Sequence, residues 1–252
     1  MDTAKELSED PNSEFKEKDN EDIAVYGGVS ADHQVFKNVS KKHLSVTEVI
    51  AQCITFFFAG YESVSTALSM ATYMLALHPD VQEKVHADLV KIVEENNMES
   101  RDAKYWKIIS ETLRLFPPIL RTERQAVSDY KLGDTGITLP KGTVITVPIY
   151  AMHRDPEFFP DPEKFDPDRF SPEERSKRDP YAYLPFGAGP RNCVAMRFAL
   201  VEIKVCLAYV ILHFKIKRCP ETKVPMEYFR GVGLCNLKMS LLRWRKRGKP
   251  SC

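Results

Sequence analysis

A mainly helical fold of the α+β type is what this sequence predicts, and three observations carry that expectation. A stretch opened by Ser45-Val-Thr-Glu48 runs almost free of helix breakers to His78-Pro79. A second long apolar helical stretch follows Cys193. Between residues 121 and 148 lie only short β-like runs, separated by turns that contain glycine and proline.

Ser45 and Glu48 have the spacing of a capping box, in which the serine accepts from the helix start and the glutamate reaches back. One long buried helix is therefore expected over about residues 45–76. Pro79 suits the first turn of a new helix, amphipathic to about residue 96. A third helix is expected over about residues 103–116 and stops at Pro117-Pro118. Short strands follow at 121–126, 130–132, 137–139 and 143–148, with turns at Gly133-Asp134 and Pro140-Lys-Gly142. Residues 155–190 are rich in Pro, Asp and Gly and read as an irregular meander. The last helix is expected from about residue 193 to 214, with strands near 215–218 and 238–243.

The chain has 252 residues, 43% of them hydrophobic, enough for one sizeable core or two modest ones. Its net charge of +1 hides an uneven spread. Residues 1–22 hold nine acidic and three basic side chains, whereas residues 191–252 hold fourteen basic and three acidic ones. Residues 1–40 are expected to form an acidic, disordered arm, and residues 41–252 a single partial domain. The basic end reads as a solvated face or as a docking surface for an acidic partner. Six cysteines without a Cys-x-x-Cys pair or a regular framework point to reduced intracellular thiols. The six scattered histidines form no zinc pattern. The longest apolar run, at residues 53–60, is too short to span a bilayer, so no membrane anchor is expected in this chain.

The chemistry concentrates in Phe186-Gly-Ala-Gly189-Pro-Arg191-Asn-Cys193-Val-Ala195. A glycine-rich loop delivers one cysteine to the start of an apolar helix, with an arginine two residues upstream. A helix N-terminus and a nearby cation are the surroundings in which thiolates occur. Thiolate ligation pushes electron density onto haem iron. Read alone, Cys193 is a free cysteine at a loop–helix junction. Phe186, Gly189, Arg191 and Cys193 together form a pattern that arises at about one in 10⁵ positions at average usage.

The loop resembles the cysteine-ligand signature of the cytochromes P-450, Phe-x-x-Gly-x-Arg-x-Cys-x-Gly. Ala195 departs from it, standing where the family usually has glycine, and its methyl group is expected to crowd the porphyrin. Other motifs extend the resemblance over about residues 40–245. Glu111-Thr-Leu-Arg114, read alone a surface ion pair, resembles the family's Glu-x-x-Arg helix. With Arg169 of Pro167-Asp-Arg169-Phe170 it implies a buried three-residue salt-bridge network bracing the Cys193 loop. Ala59-Gly60-Tyr61-Glu62-Ser63, read alone a small-residue kink, is similar to the Ala-Gly-x-(Asp/Glu)-Thr motif. That similarity implies a helix opened at Gly60 to admit dioxygen, with Ala59 against the haem and Glu62 and the Ser63 hydroxyl relaying protons. Arg191 and Arg124 are implied to hold the haem propionates, Arg121 to be structural or on the surface, and Phe186 to pack beside the sulfur. Pro118, Ile119 and Leu120 map onto a substrate-facing strand, and more loosely so does the turn at residues 231–234.

The resemblance implies the carboxy-terminal half of the cytochrome P-450 fold and a haem b cofactor. It further implies a monooxygenase that inserts one oxygen atom from dioxygen into a small apolar substrate. Electrons would come from NADPH through a reductase, or from cytochrome b5, docking near Arg197 and Lys204, with no nucleic-acid partner. The implied location is the cytoplasmic face of the endoplasmic reticulum membrane. His-Arg-Asp-Pro and Gly-Pro-Arg-Asn-Cys-Val-Ala-Met-Arg-Phe-Ala-Leu look most like the animal microsomal branch of liver drug oxidases and thromboxane synthase. Two alternatives stay open: an electron-independent peroxide isomerase, and an inactive fragment. Family members are about twice this long, and neither Trp106 nor Trp244 is followed four residues on by arginine, as the family's haem-contacting Trp-x-x-x-Arg requires. The long helix is therefore expected to expose apolar surface, and haem binding by the isolated chain to be weak or absent.

Overall fold

The computed structural model describes residues 44–94, 106–227 and 240–248. Helix α1 spans Val46–Leu77. Its start is fixed by Ser45, whose hydroxyl accepts the Glu48 amide while the Glu48 carboxylate accepts the Ser45 amide at 2.8 Å. His78 leaves helical geometry because Pro79 follows it, and Pro79 itself opens α2, Pro79–Glu94. Helix α3 is Trp106–Leu115. Residues 1–43, where the acidic arm is expected, lie outside the described residues, as do residues 95–105 and the turn at 231–234.

Strands β1 (Thr122–Gln125) and β4 (Val144–Val147) pair antiparallel, with Thr122 opposite Val147. Strands β2 (Tyr130–Lys131) and β3 (Thr138–Leu139) form a second antiparallel pair. A four-residue helix, α4 (Ile149–Met152), follows directly, in a stretch for which the sequence predicts no element. The meander is not featureless. Its Pro residues start 3₁₀ turns at Pro167–Phe170 and Pro180–Ala182, and the short helix α5 at Pro172–Ser176. In each case an Asp or Ser just ahead accepts a backbone N–H, which caps the turn.

Helix α6 covers Met196–His213 and runs into β5, Phe214–Arg218. The last strand, β6, is Leu242–Lys246 rather than 238–243, because Leu242 to Lys246 is the segment in register with β5. That register sets Trp244 opposite Ile216 and stacks it edge-on against Phe214.

The core lies where the second half of α1 meets α2, α3, α6 and β5. Seven consecutive α1 residues, Met70 to Ala76, are all buried, so helix walls surround that stretch on every side. The first half of α1 is exposed, including Phe57 at 67% and Phe58 at 65%, which corrects the expectation of burial along the whole helix. Helix α6 buries Met196, Leu200, Ile203, Leu207 and Ile211 at helical spacing. It exposes a second apolar stripe of Phe198, Val201, Val205 and Tyr209. Helices apolar all round are those with neighbours on more than one side.

Gln82, fully buried, ties α2 to the rest of the core. Its amide nitrogen donates to the Leu75 and Ile216 carbonyls, and its oxygen accepts the Ile216 amide at 2.8 Å. Gln82→Ala strands those backbone groups without water. It should lower the unfolding free energy by about 2–4 kcal/mol in a denaturant titration; a loss below about 1 kcal/mol would contradict the assigned bonding.

Candidate functional site

Every residue of α3 except the half-buried Lys107 is buried, including Glu111 and Arg114, both at 0% exposure. Buried charges persist only when paired and fully hydrogen-bonded. The i, i+3 spacing lets the guanidinium grip the carboxylate twice, Nε to Oε2 at 2.8 Å and Nη2 to Oε1 at 2.9 Å. Arg114 also donates to the carbonyls of His153 at 2.9 Å and Lys164 at 3.2 Å. Glu111 accepts the Asp166 amide at 2.9 Å. Arg169 stands 3.6 Å from the same Glu111 oxygen and anchors its other end on the Asp161 carbonyl. Burial pushes the Glu111 carboxyl up, while Arg114, the Asp166 amide and Arg169 pull it down. The structure thus brings together the three residues singled out as a network, and adds Arg178. That side chain lies over the Phe159 ring and donates to the Phe158 and Arg169 carbonyls.

His153, the residue just after α4, is fully buried between this cluster and the cysteine loop. Its Nε2 accepts the Leu184 amide at 2.9 Å, so Nδ1 carries the proton and faces the Arg114 carbonyl at 3.3 Å. Desolvation, with Arg114 and Arg154 adding positive charge, pushes the ring pKa down to about 3. Beside it the Tyr183 hydroxyl donates to the Ser110 carbonyl at 2.8 Å. Neither His153 nor Tyr183 stands out in the sequence, where His153 is visible only as the first residue of His-Arg-Asp-Pro.

The loop that follows turns tightly. The Gly187 amide bonds the Leu184 carbonyl, and the Cys193 amide closes the loop on the Phe186 carbonyl at 2.9 Å. Gly187 and Gly189 have φ of 71° and 75°, a region that side-chain-bearing residues rarely adopt. Cys193 is exposed at the end of this turn, and Phe186 packs partly into the core. Helix α6 begins only at Met196, three residues after Cys193 and later than expected: the Cys193 carbonyl accepts the Met196 amide in a tighter turn, and the first helical bond runs from the Ala199 amide to the Ala195 carbonyl. Ala195 is the residue before the helix, at φ −97°, a conformation open to alanine. Arg124 on β1 donates to its neighbour's carbonyl and, at 3.4 Å, to the Arg191 carbonyl, so β1 touches the cysteine loop. Arg191 is exposed, and Arg121 forms an exposed pair with Glu123.

Ala59, Gly60 and Glu62 lie on the exposed half of α1, and Ser63 is half-buried. The helix runs through Gly60 without a break, so the opening expected there is absent. The Ser63 hydroxyl donates to the Ala59 carbonyl at 2.7 Å, a back-bond common for serine within helices. Pro118 and Leu120 are half-buried and Ile119 is exposed, in a short extended segment held by the Tyr150 amide on the Leu120 carbonyl.

Among the described residues no group of three or more His, Cys, Asp or Glu is placed to hold a metal ion. A metal bound by Cys193 therefore brings its remaining ligands with it, as a porphyrin iron does. One accessible sulfur, with Arg191 and Arg124 beside it to take carboxylates, fits that group. Buried helix α3, the glycine-bounded cysteine turn and the apolar α6 together fit the class of haem-thiolate proteins. The cytochrome P-450 family model matches residues 3–242, and the chain belongs to that family. It is similar to cytochrome P-450 3A13 of Mus musculus, 44% identical over 193 residues, 75% of this chain and 38% of the relative. It is also similar to cytochrome P-450 3A7 of Homo sapiens, 42% identical over 211 residues, 82% of this chain and 42% of the relative. Probable cytochrome P-450 6a13 of Drosophila melanogaster is 39% identical over 194 residues, 75% and 39% of the two chains. The chain spans about two fifths of the length of these relatives.

Glu111→Ala leaves the Arg114 guanidinium buried without its carboxylate and should cost about 3–5 kcal/mol of unfolding free energy. His153 gives a second expectation. The folded ring stays neutral while the unfolded one takes up a proton near its ordinary 6.5, so stability present above that pH is lost as pH falls toward 3. Between pH 7 and pH 5 the loss from this group should be about 2 kcal/mol. His78 and His86, also held down by burial, add to it in the same sense. Denaturation of His153→Phe at both pH values should show the shallower dependence; an unchanged slope would contradict the neutral buried ring.

Proposed function

We propose that this chain carries the haem-thiolate half of a monooxygenase that oxidises a small apolar substrate with dioxygen, drawing electrons from an NADPH-dependent reductase. The single observation that carries the proposal is the exposed Cys193 on a loop closed by its own backbone and flanked by Arg191 and Arg124. Haem, when bound, supplies the redox chemistry that activates oxygen. Cys193 donates its sulfur to the iron. Arg191 and Arg124 orient the group through its carboxylates, and Phe186 beside the loop limits water at the sulfur. The buried Glu111–Arg114–Arg169 cluster keeps the loop from collapsing.

On α1, Glu62 is solvent-exposed and placed to collect a proton, and the Ser63 hydroxyl is one residue on. Retention of this acid–hydroxyl pair favours oxygen activation over the peroxide isomerisation of a thromboxane-synthase type, which needs neither external electrons nor protons. Pro118, Ile119 and Leu120 form part of an apolar wall for substrate. The exposed Arg197 belongs to the face proposed for the reductase, or for cytochrome b5. Lys204 stands on the same helix with its ammonium over the Trp106 ring. The proposed location is the endoplasmic reticulum membrane, although no helix among the described residues is long and apolar enough to cross one.

The exposed faces of α1 and α6 set the condition for activity. Relatives more than twice as long have further chain with which to cover such surfaces, and haem affinity should depend on that cover. The reduced carbon-monoxide difference spectrum of the protein supplied with haem tests the proposal. A red-shifted thiolate band that disappears in Cys193→Ser is the expected result. A band that survives the substitution would overturn the ligand assignment, and no band in the parent would favour the inactive fragment. Ser63→Ala should raise the share of oxygen reduced without product; unchanged coupling would remove that hydroxyl from the proton path.

A further inference from the structure

His153 is the one fully buried histidine among the described residues, and ligation, proton delivery and substrate contact all leave it without a role. It sits at a crossing of bonds. Arg114 donates through Nη1 to the His153 carbonyl, and the His153 ring donates through Nδ1 back to the Arg114 carbonyl. On the far side of the ring, Nε2 accepts the Leu184 amide. From Leu184 the bonding continues into the loop, through its carbonyl to the Gly187 amide and from the Phe186 carbonyl to the Cys193 amide. A short series of backbone and ring contacts therefore leads from the buried ion pair to the cysteine, and His153 is its middle member.

Two aromatic rings pack against the imidazole. Tyr183 lies 5.1 Å away, tilted, and Phe159 stands edge-on at 6.3 Å. Tyr183 is itself tied to the Ser110 carbonyl in α3. Only an imidazole offers a donor and an acceptor on opposite sides of a rigid ring, which is what a carbonyl on one element and an amide on another demand. A protonated ring would turn a second N–H toward the Leu184 N–H. The cations facing it, Arg114 and Arg154, oppose that state.

We propose that His153, as its neutral Nδ1–H tautomer, is a positioning residue for the metal-binding loop, transmitting the fixed geometry of the Glu111–Arg114 pair to Leu184 and thence to Cys193. The proposal rests on Cys193 being the iron ligand for its functional meaning, but not for its test.

Amide hydrogen exchange on the chain, under conditions where local opening dominates, reads the coupling directly. His153→Phe keeps the ring's packing and removes both bonds. It should speed exchange at the Leu184 and Cys193 amides by about tenfold or more. Gln82→Ala, which loosens the core at α2 and β5 instead, should leave those two amides within about twofold of the parent. Should His153→Phe fail to fold, His153→Asn, whose amide NH2 can donate to the Arg114 carbonyl but whose shorter side chain leaves its Oδ1 out of reach of the Leu184 amide, is expected to show the same rise. Unchanged Cys193 exchange in a folded His153 variant, or an equal rise in Gln82→Ala, would overturn the proposal. In the haem-loaded protein the thiolate band should weaken in His153→Phe and persist in Gln82→Ala; equal weakening in both would also count against it. If the parent itself gives no thiolate band, the proposed activity of this chain fails in favour of the inactive fragment, and the exchange rates still decide the role of His153.

Discussion

The Glu111–Arg114 pair is the constraint around which this structure is arranged. Two full charges sit in a helix buried at every position but Lys107, a placement that is strongly destabilising unless every donor and acceptor is met. Meeting them draws in parts of the chain that are distant in sequence. The carbonyls of His153 and Lys164, the Asp166 amide and the Arg169 side chain all converge on the pair. Each of those segments lacks long regular structure of its own, and each is located by what it supplies to α3. The irregular meander is therefore positioned as firmly as a strand, through point contacts rather than a ladder.

Function follows from where those segments go next. The meander leads into Tyr183 and Leu184, which are fixed to the Ser110 carbonyl and the His153 ring, and then into the cysteine loop. A thiolate ligand has to be presented at one distance and one direction, and a glycine turn alone offers too many conformations. Closing the turn by Phe186 and Cys193 backbone bonding, and tying its base to a buried polar cluster, removes most of that freedom. Membership of the cytochrome P-450 family gives this arrangement a context, and the apolar stripes of α1 and α6 are exposed among the described residues.

Much of this was legible in the sequence, for reasons that are themselves physical. The ends of α1 could be read because the capping box and the His-Pro step are local devices. The Glu111–Arg114 pairing could be read because its i, i+3 spacing is tied to its chemistry, and Cys193 stands out for the same kind of local pattern. Other features depend on partners far along the chain. The start of α6 at Met196 follows from the turn in which the Cys193 carbonyl accepts the Met196 amide, and the bounds of β6 from its register on β5. Helix α4, only four residues long, is too short to show a period. His153 carries no local signal at all, since its importance lies in joining residues 114 and 184. The unbroken helix at Gly60 shows the converse limit, where a motif suggests an opening that the backbone does not show.

A double-mutant cycle on Glu111 and Arg114 bears most directly on the governing role of the pair. Unfolding free energies would be measured for Glu111→Leu, Arg114→Met and the combination. If each partner exists only to satisfy the other in a dry interior, each single change leaves a stranded charge, and the double change should cost well under the sum, with a coupling of about 2–3 kcal/mol. Additive losses would mean that the two charges do not depend on each other, and the pair could not be what organises the loop.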